Sequence, residues 1–286
     1  MNVHKYRKKV RFPCSILQAS SFDGVKKGSN EMKKTLLTLI LIITAAGAFS
    51  SCTNCDGTDV IITNAIVTVK HTEGGILYFQ LDDKTTLRPH GISDSAYGNE
   101  QFRALLGYTE RDETPSASDG VKFDKTVNVY TLDKILTKQI AESQGDKDDE
   151  VYGTAPVEIL RSWANIIEDG YVTLVFCGYW GDLNKTHTIN LVGGTESGDP
   201  YLLELRHNTG DDITSIHNST RCNGIVAFDL NSLPDTKGET VKLKIRFISF
   251  SGEKTVSFDY CTGKTSLPDP LGQGADYFPM PGTGVE

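Results

Sequence analysis

Late in the chain, apolar and polar residues alternate over residues 241–247. Val241, Leu243, Ile245 and Phe247 point one way while Lys242, Lys244 and Arg246 point the other, so the stretch reads as a strand with one buried and one wet face. A Ser251-Gly252-Glu253-Lys254 turn leads into Val256, Phe258 and Tyr260, alternating with Ser257 and Asp259, which completes a hairpin. Residues 171–176, 188–192, 201–205 and 225–230 add further short strands with turn residues between them. Residues 151–262 therefore predict an antiparallel β-sandwich.

The earlier part of the chain carries a different β pattern. Val60-Ile61-Ile62-Thr63 and Ile66-Val67-Thr68-Val69 are rich in β-branched residues, and a Glu73-Gly74-Gly75 turn separates them from Ile76-Leu77-Tyr78-Phe79-Gln80-Leu81. Later strands are predicted at 102–108 and 127–130. Leu132, Ile135, Leu136 and Ile140 fall at helical spacing, which predicts a short amphipathic helix closing this module near the domain junction. A small OB-like barrel over residues 58–142 is the natural way for such strands to hide their edges. Between the modules, residues 143–150 (Ser143-Gln144-Gly145-Asp146-Lys147-Asp148-Asp149-Glu150) offer no apolar side chain and read as a solvated acidic linker. Residues 263–286, with Pro268, Pro270, Pro279 and Pro281, read as a flexible tail in which Tyr277-Phe278 could dock. The predicted fold class is all-β, a small barrel followed by an antiparallel sandwich.

The N-terminal end is of another kind. Met32-Lys33-Lys34 precedes an uncharged apolar run at 35–49 and then Ser50-Ser51-Cys52, the layout of a secretory signal over 32–51. At about 15 residues the run is shorter than the roughly 20 that span a bilayer. Met32 begins a complete signal, so residues 1–31 are expected to be an extension ahead of the true start; a basic arm for nucleic acid is the alternative, but it would be cut away with the signal. Phe49-Ser50-Ser51-Cys52 resembles the lipobox of bacterial lipoproteins, which implies acylation of Cys52 and a membrane anchor made of more than one chain, with 52–57 as tether. A secreted protein with a cysteine near its cleavage site is the alternative.

Residues 1–51 hold nine Lys and Arg against two Asp and Glu, so of the chain's 29 and 37 the remainder carries 20 against 35, a formal charge of −15. That balance argues against nucleic acid or anionic lipid as a direct partner.

Several segments together resemble the NigD-like lipoproteins of Bacteroides-type bacteria. They are the lipobox, Ile135-Leu136-Thr137-Lys138 within 127–140, His187-Thr188-Ile189-Asn190-Leu191, Leu203-Glu204-Leu205-Arg206-His207-Asn208, and Phe228-Asp229-Leu230. The resemblance spans residues 52–262 and implies an N-terminal OB-type domain, a C-terminal β-sandwich and a role in immunity to a bacteriocin. One departure concerns location. Surface-exported lipoproteins of these bacteria resemble one another in an acidic run after the lipidated cysteine, whereas this chain has Thr53-Asn54-Cys55-Asp56-Gly57. The outer membrane is the expected address, with either leaflet open.

Candidate chemistry is sparse. The chain has no His-Glu-x-x-His helix, Gly-x-Ser-x-Gly elbow or phosphate loop, and no catalytic residue is assigned. His187, His207 and His217 with Asp211-Asp212 could converge on a divalent metal. A hydrogen-bonded structural pair of His187 and His207 near one sandwich end is the preferred reading, so no metal is expected. Tyr179-Trp180-Gly181-Asp182 predicts two large aromatics on a loop, suited to a sugar ring or a protein hot spot and equally to a rim over the core. Tyr78, Phe79 and Tyr97 are candidate glycan platforms on the barrel. Cys177 and Cys222 could form a disulfide or remain free thiols, and Cys55 and Cys261 complete an even set. Asp94-Ser95-Ala96 resembles the O-glycan acceptor of Bacteroides-type bacteria, placing a sugar on Ser95. Asn184-Lys185-Thr186 and Asn218-Ser219-Thr220 fit an N-glycan acceptor whose pathway is not expected here.

These residues favour a non-enzymatic envelope lipoprotein without a cofactor beyond the covalent lipid on Cys52. Its partner is expected to be a protein, with a secreted bacteriocin as the leading candidate, and its ligand-contacting residues are expected among Tyr179, Trp180, His187 and His207. A glycan-binding accessory lipoprotein of a nutrient uptake system is the competing class, and a structural outer-membrane assembly component is a third.

Overall fold

A computed structural model describes residues 6–10, 60–195, 198–215 and 217–270. The signal, Cys52, the tether with Cys55, and the tail beyond Pro270 lie outside the described residues. Of the N-terminal extension it describes β1 (Tyr6–Val10).

The first module is a five-stranded closed barrel. β2 (Val60–His71), β3 (Leu77–Gln80), β4 (Thr86–His90), β5 (Phe102–Glu110) and β6 (Lys125–Lys134) run in the ring order β2-β3-β4-β6-β5, and β5 pairs back onto β2 from Thr63↔Tyr108 to Val69↔Phe102. Val67, Val69, Leu77, Phe79, Leu87, Phe102, Leu106 and Tyr108 fill its interior. Gly74 in the β2–β3 turn lets Asp119 approach, since a Cβ there would lie 2.0 Å from the Asp119 carboxylate, which accepts the Thr72 hydroxyl.

The second module is a sandwich. One sheet contains β9 (Glu158–Ile159), β10 (Ile166–Glu168), β11 (Tyr171–Trp180), β14 (Thr220–Asp229) and β7 (Leu136–Gln139). The other has the order β16-β15-β13-β12-β8, from β16 (Gly252–Tyr260) through β15 (Val241–Ser249), β13 (Leu202–Asn208) and β12 (Thr188–Gly193) to β8 (Ala141–Glu142). Between them Leu174, Phe176, Ile189, Leu191, Leu203, Leu205, Val226, Phe228, Leu243, Ile245 and Phe258 form one core.

Residues 132–140 form strands instead of the expected helix. β6 gives its backbone to the barrel, the chain pivots at the fully buried Ile135, and β7 and β8 then pair in parallel with β14 and β12. Ladder partners on both sides outweigh the helical spacing, because an unpaired buried peptide group costs more than a local propensity supplies. The sandwich thus starts just after Ile135 and not at 151, and β7–β8 seals its edge by switching sheets. Among the described residues the one α-helix, α1 (Asp148–Tyr152), starts inside the stretch read as a linker and runs two residues past it. That stretch is ordered by the buried Asp148, whose carboxylate accepts the Ser143 hydroxyl and the Gln144 N–H, both at 2.6 Å. The start of the tail is also docked, because Ser266 exchanges two 2.8 Å backbone hydrogen bonds with Ile167, and Asp269 N–H bonds to the Ser257 carbonyl.

Barrel and sandwich pack into one compact unit. Ile66 and Leu105 of the barrel sit against Ile166, Val175, Cys177, Ile225 and Ala227 on the outer face of the first sandwich sheet. The two-residue turn Asp169-Gly170, with φ of 52° and 81°, folds β10 onto β11 in the manner of a tight hairpin and aims Glu168 and Asp169 at the barrel. Arg103, with a fully buried side chain, donates to Glu168 and to Thr68, both at 2.9 Å, and Lys70 pairs with Asp169 at 2.8 Å. Burial pushes Glu168 up to about 7 despite Arg103 beside it.

Candidate functional site

The buried polar residues of the sandwich gather at the end where β11 stops and β12 begins. β11 alternates, so its even positions enter the sandwich core, and the last of these is Trp180, 2 % exposed. His187, just before β12, stacks on the Trp180 ring with centroids 4.2 Å apart and planes 9° off parallel. His207, near the end of β13, is the register partner of Ile189, two residues on from His187, so alternation along the strand puts both imidazoles on the same face of the sheet. Its Nε2 is 2.9 Å from His187 Nδ1, and the other ring nitrogen of His187 is 2.8 Å from the Asp212 carboxylate. Asp212 also accepts the backbone N–H groups of Gly181 and Asp182 at 2.8 and 3.1 Å.

The electrostatics follow from this burial. Desolvation first, and the neighbouring His187 second, push His207 down to about 4, against the pull of the Pro156 carbonyl. Burial alone would raise Asp212, but the bonds from His187, Gly181 and Asp182 outweigh it and hold the carboxyl below the ordinary range. Both His187 nitrogens are already engaged, so neither offers a lone pair to a metal. Among the described residues no group of three or more His, Cys, Asp or Glu side chains could hold one. His217 is exposed on its loop and does not join the cluster. The arrangement is a clamp: one carboxylate on the 209–215 loop grips the backbone of the 181–187 loop, and a Trp–His–His stack fixes it from below.

What the clamp presents is apolar. Leu183 is 63 % and Ile213 90 % exposed, one on each clamped loop. The loops touch through their backbones, since a Cβ on Gly181 would lie 2.3 Å from the Ile213 carbonyl, and Lys185 pairs with Asp211 at 2.6 Å. Neither aliphatic was singled out by the sequence pattern, although each is a lone apolar residue in a polar loop.

Other expected sites are displaced. Trp180 is not a loop aromatic and cannot face a sugar, because it completes β11 and is covered by His187. Tyr179 is half-buried, edge-on to Phe250 with centroids 4.9 Å apart. Phe79 is barrel core, Tyr78 packs on Phe123, and Tyr97 stays exposed beside Phe102. Cys177 and Cys222 are free thiols. Cys177 is opposite Asn223 and Cys222 opposite Gly178, so neighbouring register positions put the two sulfurs on opposite faces of the sheet, where no bridge can form. Cys177 instead receives the Arg221 guanidinium at 3.3 Å. Ser95 is exposed on a turn with its hydroxyl 2.8 Å from that of Ser93.

A cleft of about 310 Å³ lies beside the cluster, between the chain after α1 and the outer ends of β13 and β15. Its cations are neutralised from within, because Glu204 pairs with both Arg206 and Arg246, and Asp149 pairs with Arg206 at 2.6 Å.

Comparison with known proteins matches residues 66–135 to the NigD-like N-terminal OB domain and residues 139–260 to the NigD-like C-terminal beta sandwich domain. Among solved structures, a "TOXIN related protein" from Parabacteroides distasonis is 35% identical, with a TM-score of 0.60 over 70% of this chain and 94% of that one. A protein of unknown function from Bacteroides vulgatus is 20% identical, with a TM-score of 0.55 over 70% and 90%. A NigD-like immunity protein from Bacteroides caccae is 16% identical, with a TM-score of 0.46 over 72% and 91%. No curated protein matches the chain.

Proposed function

Because the chain belongs to the NigD-like family, joining that family's OB domain to its β-sandwich, we propose that it is a non-enzymatic envelope lipoprotein that binds another protein. In this reading Cys52 carries the lipid, the signal over 32–51 is removed, and the folded part is held at the membrane, where it neutralises a secreted bacteriocin. A tether raises the local concentration of such a blocker at the surface the toxin must reach.

The observation that carries the reading is the clamped loop pair. Exposed aliphatics on flexible loops lose ordering entropy when they bind, whereas Leu183 and Ile213 sit on loops already fixed by Asp212 and the stacked histidines. Preorganised apolar anchors surrounded by polar residues are what protein interfaces use. The 35% identical relative is itself described as toxin related, which fits a partnership of this kind.

The test is capture. Affinity-tagged full chain, purified as the cell processes it, is used as bait against the envelope and secreted proteins of neighbouring strains, with partners identified by mass spectrometry. One small secreted protein returned near stoichiometry supports the reading, and return of a glycan transporter or of nothing defeats it.

A further inference from the structure

We infer that the partner segment seated on the loop tip is a cationic amphipathic peptide stretch, with an apolar face on Leu183 and Ile213 and lysine or arginine side chains near Asp182 and Asp211; the inference rests on the protein-binding reading and adds the partner's chemistry. Leu183 and Ile213 are the two most exposed of the large apolar side chains described, and they project from loops in backbone contact. Around them, three carboxylates, Asp211, Asp182 and Asp212, act on Lys185, the one Lys or Arg within residues 181–187 and 209–215. Asp212 is engaged by the clamp and Asp211 by Lys185, while the Asp182 carboxylate accepts from Asn184 within its own loop. The tip is therefore an aliphatic pair in an acidic rim, on a chain whose portion from Cys52 onward carries −15. Such a field steers cations inward and repels anions. It also disfavours a lipid surface, since seating the aliphatics in a bilayer would press carboxylates against phosphate headgroups.

The probe is a pair of fluorescein-labelled amphipathic 18-residue peptides, one of lysine and leucine at helical spacing and one with glutamate in place of lysine. They are titrated into the processed full chain in phosphatidylcholine nanodiscs, with empty nanodiscs subtracted. The Lys/Leu peptide is expected to bind at least tenfold more tightly than the Glu/Leu peptide. Leu183→Ser with Ile213→Ser should abolish that binding, and Asp182→Asn with Asp211→Asn should weaken it severalfold and flatten its salt dependence, with unfolding midpoints unchanged. Equal binding of both peptides, or indifference to these substitutions, overturns the inference. A captured secreted protein that ignores all four substitutions overturns it too while leaving the protein-binding reading intact. Selective peptide binding with no captured protein upholds the tip chemistry and sinks the functional reading. Lipid association of the disc-free protein that depends on Leu183 and Ile213 would make the tip a membrane contact and overturn the inference.

Discussion

His207 makes folding sensitive to acid, and replacing it with glutamine should remove that sensitivity. The folded imidazole titrates near 4, against 6.5 for an unperturbed histidine, because it is buried against His187. Above pH 6.5 the ring is neutral in folded and unfolded chains alike, and its contribution is fully present. As the pH falls from 6.5 to 4 the unfolded chain takes a proton that the folded chain refuses, and stability drains away. One pKa unit corresponds to about 1.4 kcal/mol, so the loss across the window is about 3 kcal/mol. Urea unfolding followed by tryptophan fluorescence, at pH 7.5, 6.5, 5.5 and 4.5, measures this as the difference between wild type and His207→Gln. Glu168, whose folded value is raised to about 7, has the opposite sign, favouring the fold at low pH and losing that contribution as the pH rises from 4.5 to 7. It is present in both proteins and cancels. Asp212 is held down and loses its contribution only below the ordinary carboxylate range. A wild-type advantage of the same size at pH 7.5 and 4.5 would refute the burial argument.

Trp180→Ala removes the floor of the clamp from a fully packed core and should cost about 3–5 kcal/mol in urea unfolding; a cost under about 1 kcal/mol would contradict the packing described. Arg103→Met alone strands the buried Glu168 and should cost about 3 kcal/mol or more, whereas Arg103→Met with Glu168→Leu should recover most of it, as read by thermal unfolding. In native protein a maleimide should label Cys222 and spare the buried Cys177 and Cys261 until denaturant is added, with no mass change on prior reduction from a Cys177–Cys222 bridge.

The sandwich hairpin was legible because β15 and β16 have one wet face, which leaves period-two alternation in the sequence. The barrel was legible from β-branched runs broken by glycine turns. The domain interface was not, although it left a trace. β5 and β11 are buried on both faces, by their own module and by the other, so residues 102–108 and 171–177 read as nearly continuous apolar runs without alternation. Arg103 within the first of these was the sign of a buried ion pair. The helix expected at 132–140 failed because its apolar spacing serves two sheets in succession, a long-range arrangement that local periodicity cannot report. Asp148 shows the same lesson in reverse, since an acidic stretch that looks solvated is ordered by one carboxylate turned inward. At the candidate site the His187–His207 pair was readable from their places at strand ends, but Trp180 was misplaced because the strand was ended at Phe176 and not carried on to Trp180.

As proposed, the protein is held at the membrane through Cys52 and protects its cell by binding a secreted toxin through the clamped loops. Survival of a strain lacking the gene, challenged with the secreted fraction of bacteriocin-producing neighbours, tests it most directly. The wild-type gene should restore survival, Cys52→Ala should restore little, and Leu183→Ser with Ile213→Ser should restore none despite normal abundance. Equal survival with and without the gene, or full rescue by the loop variant, would contradict it.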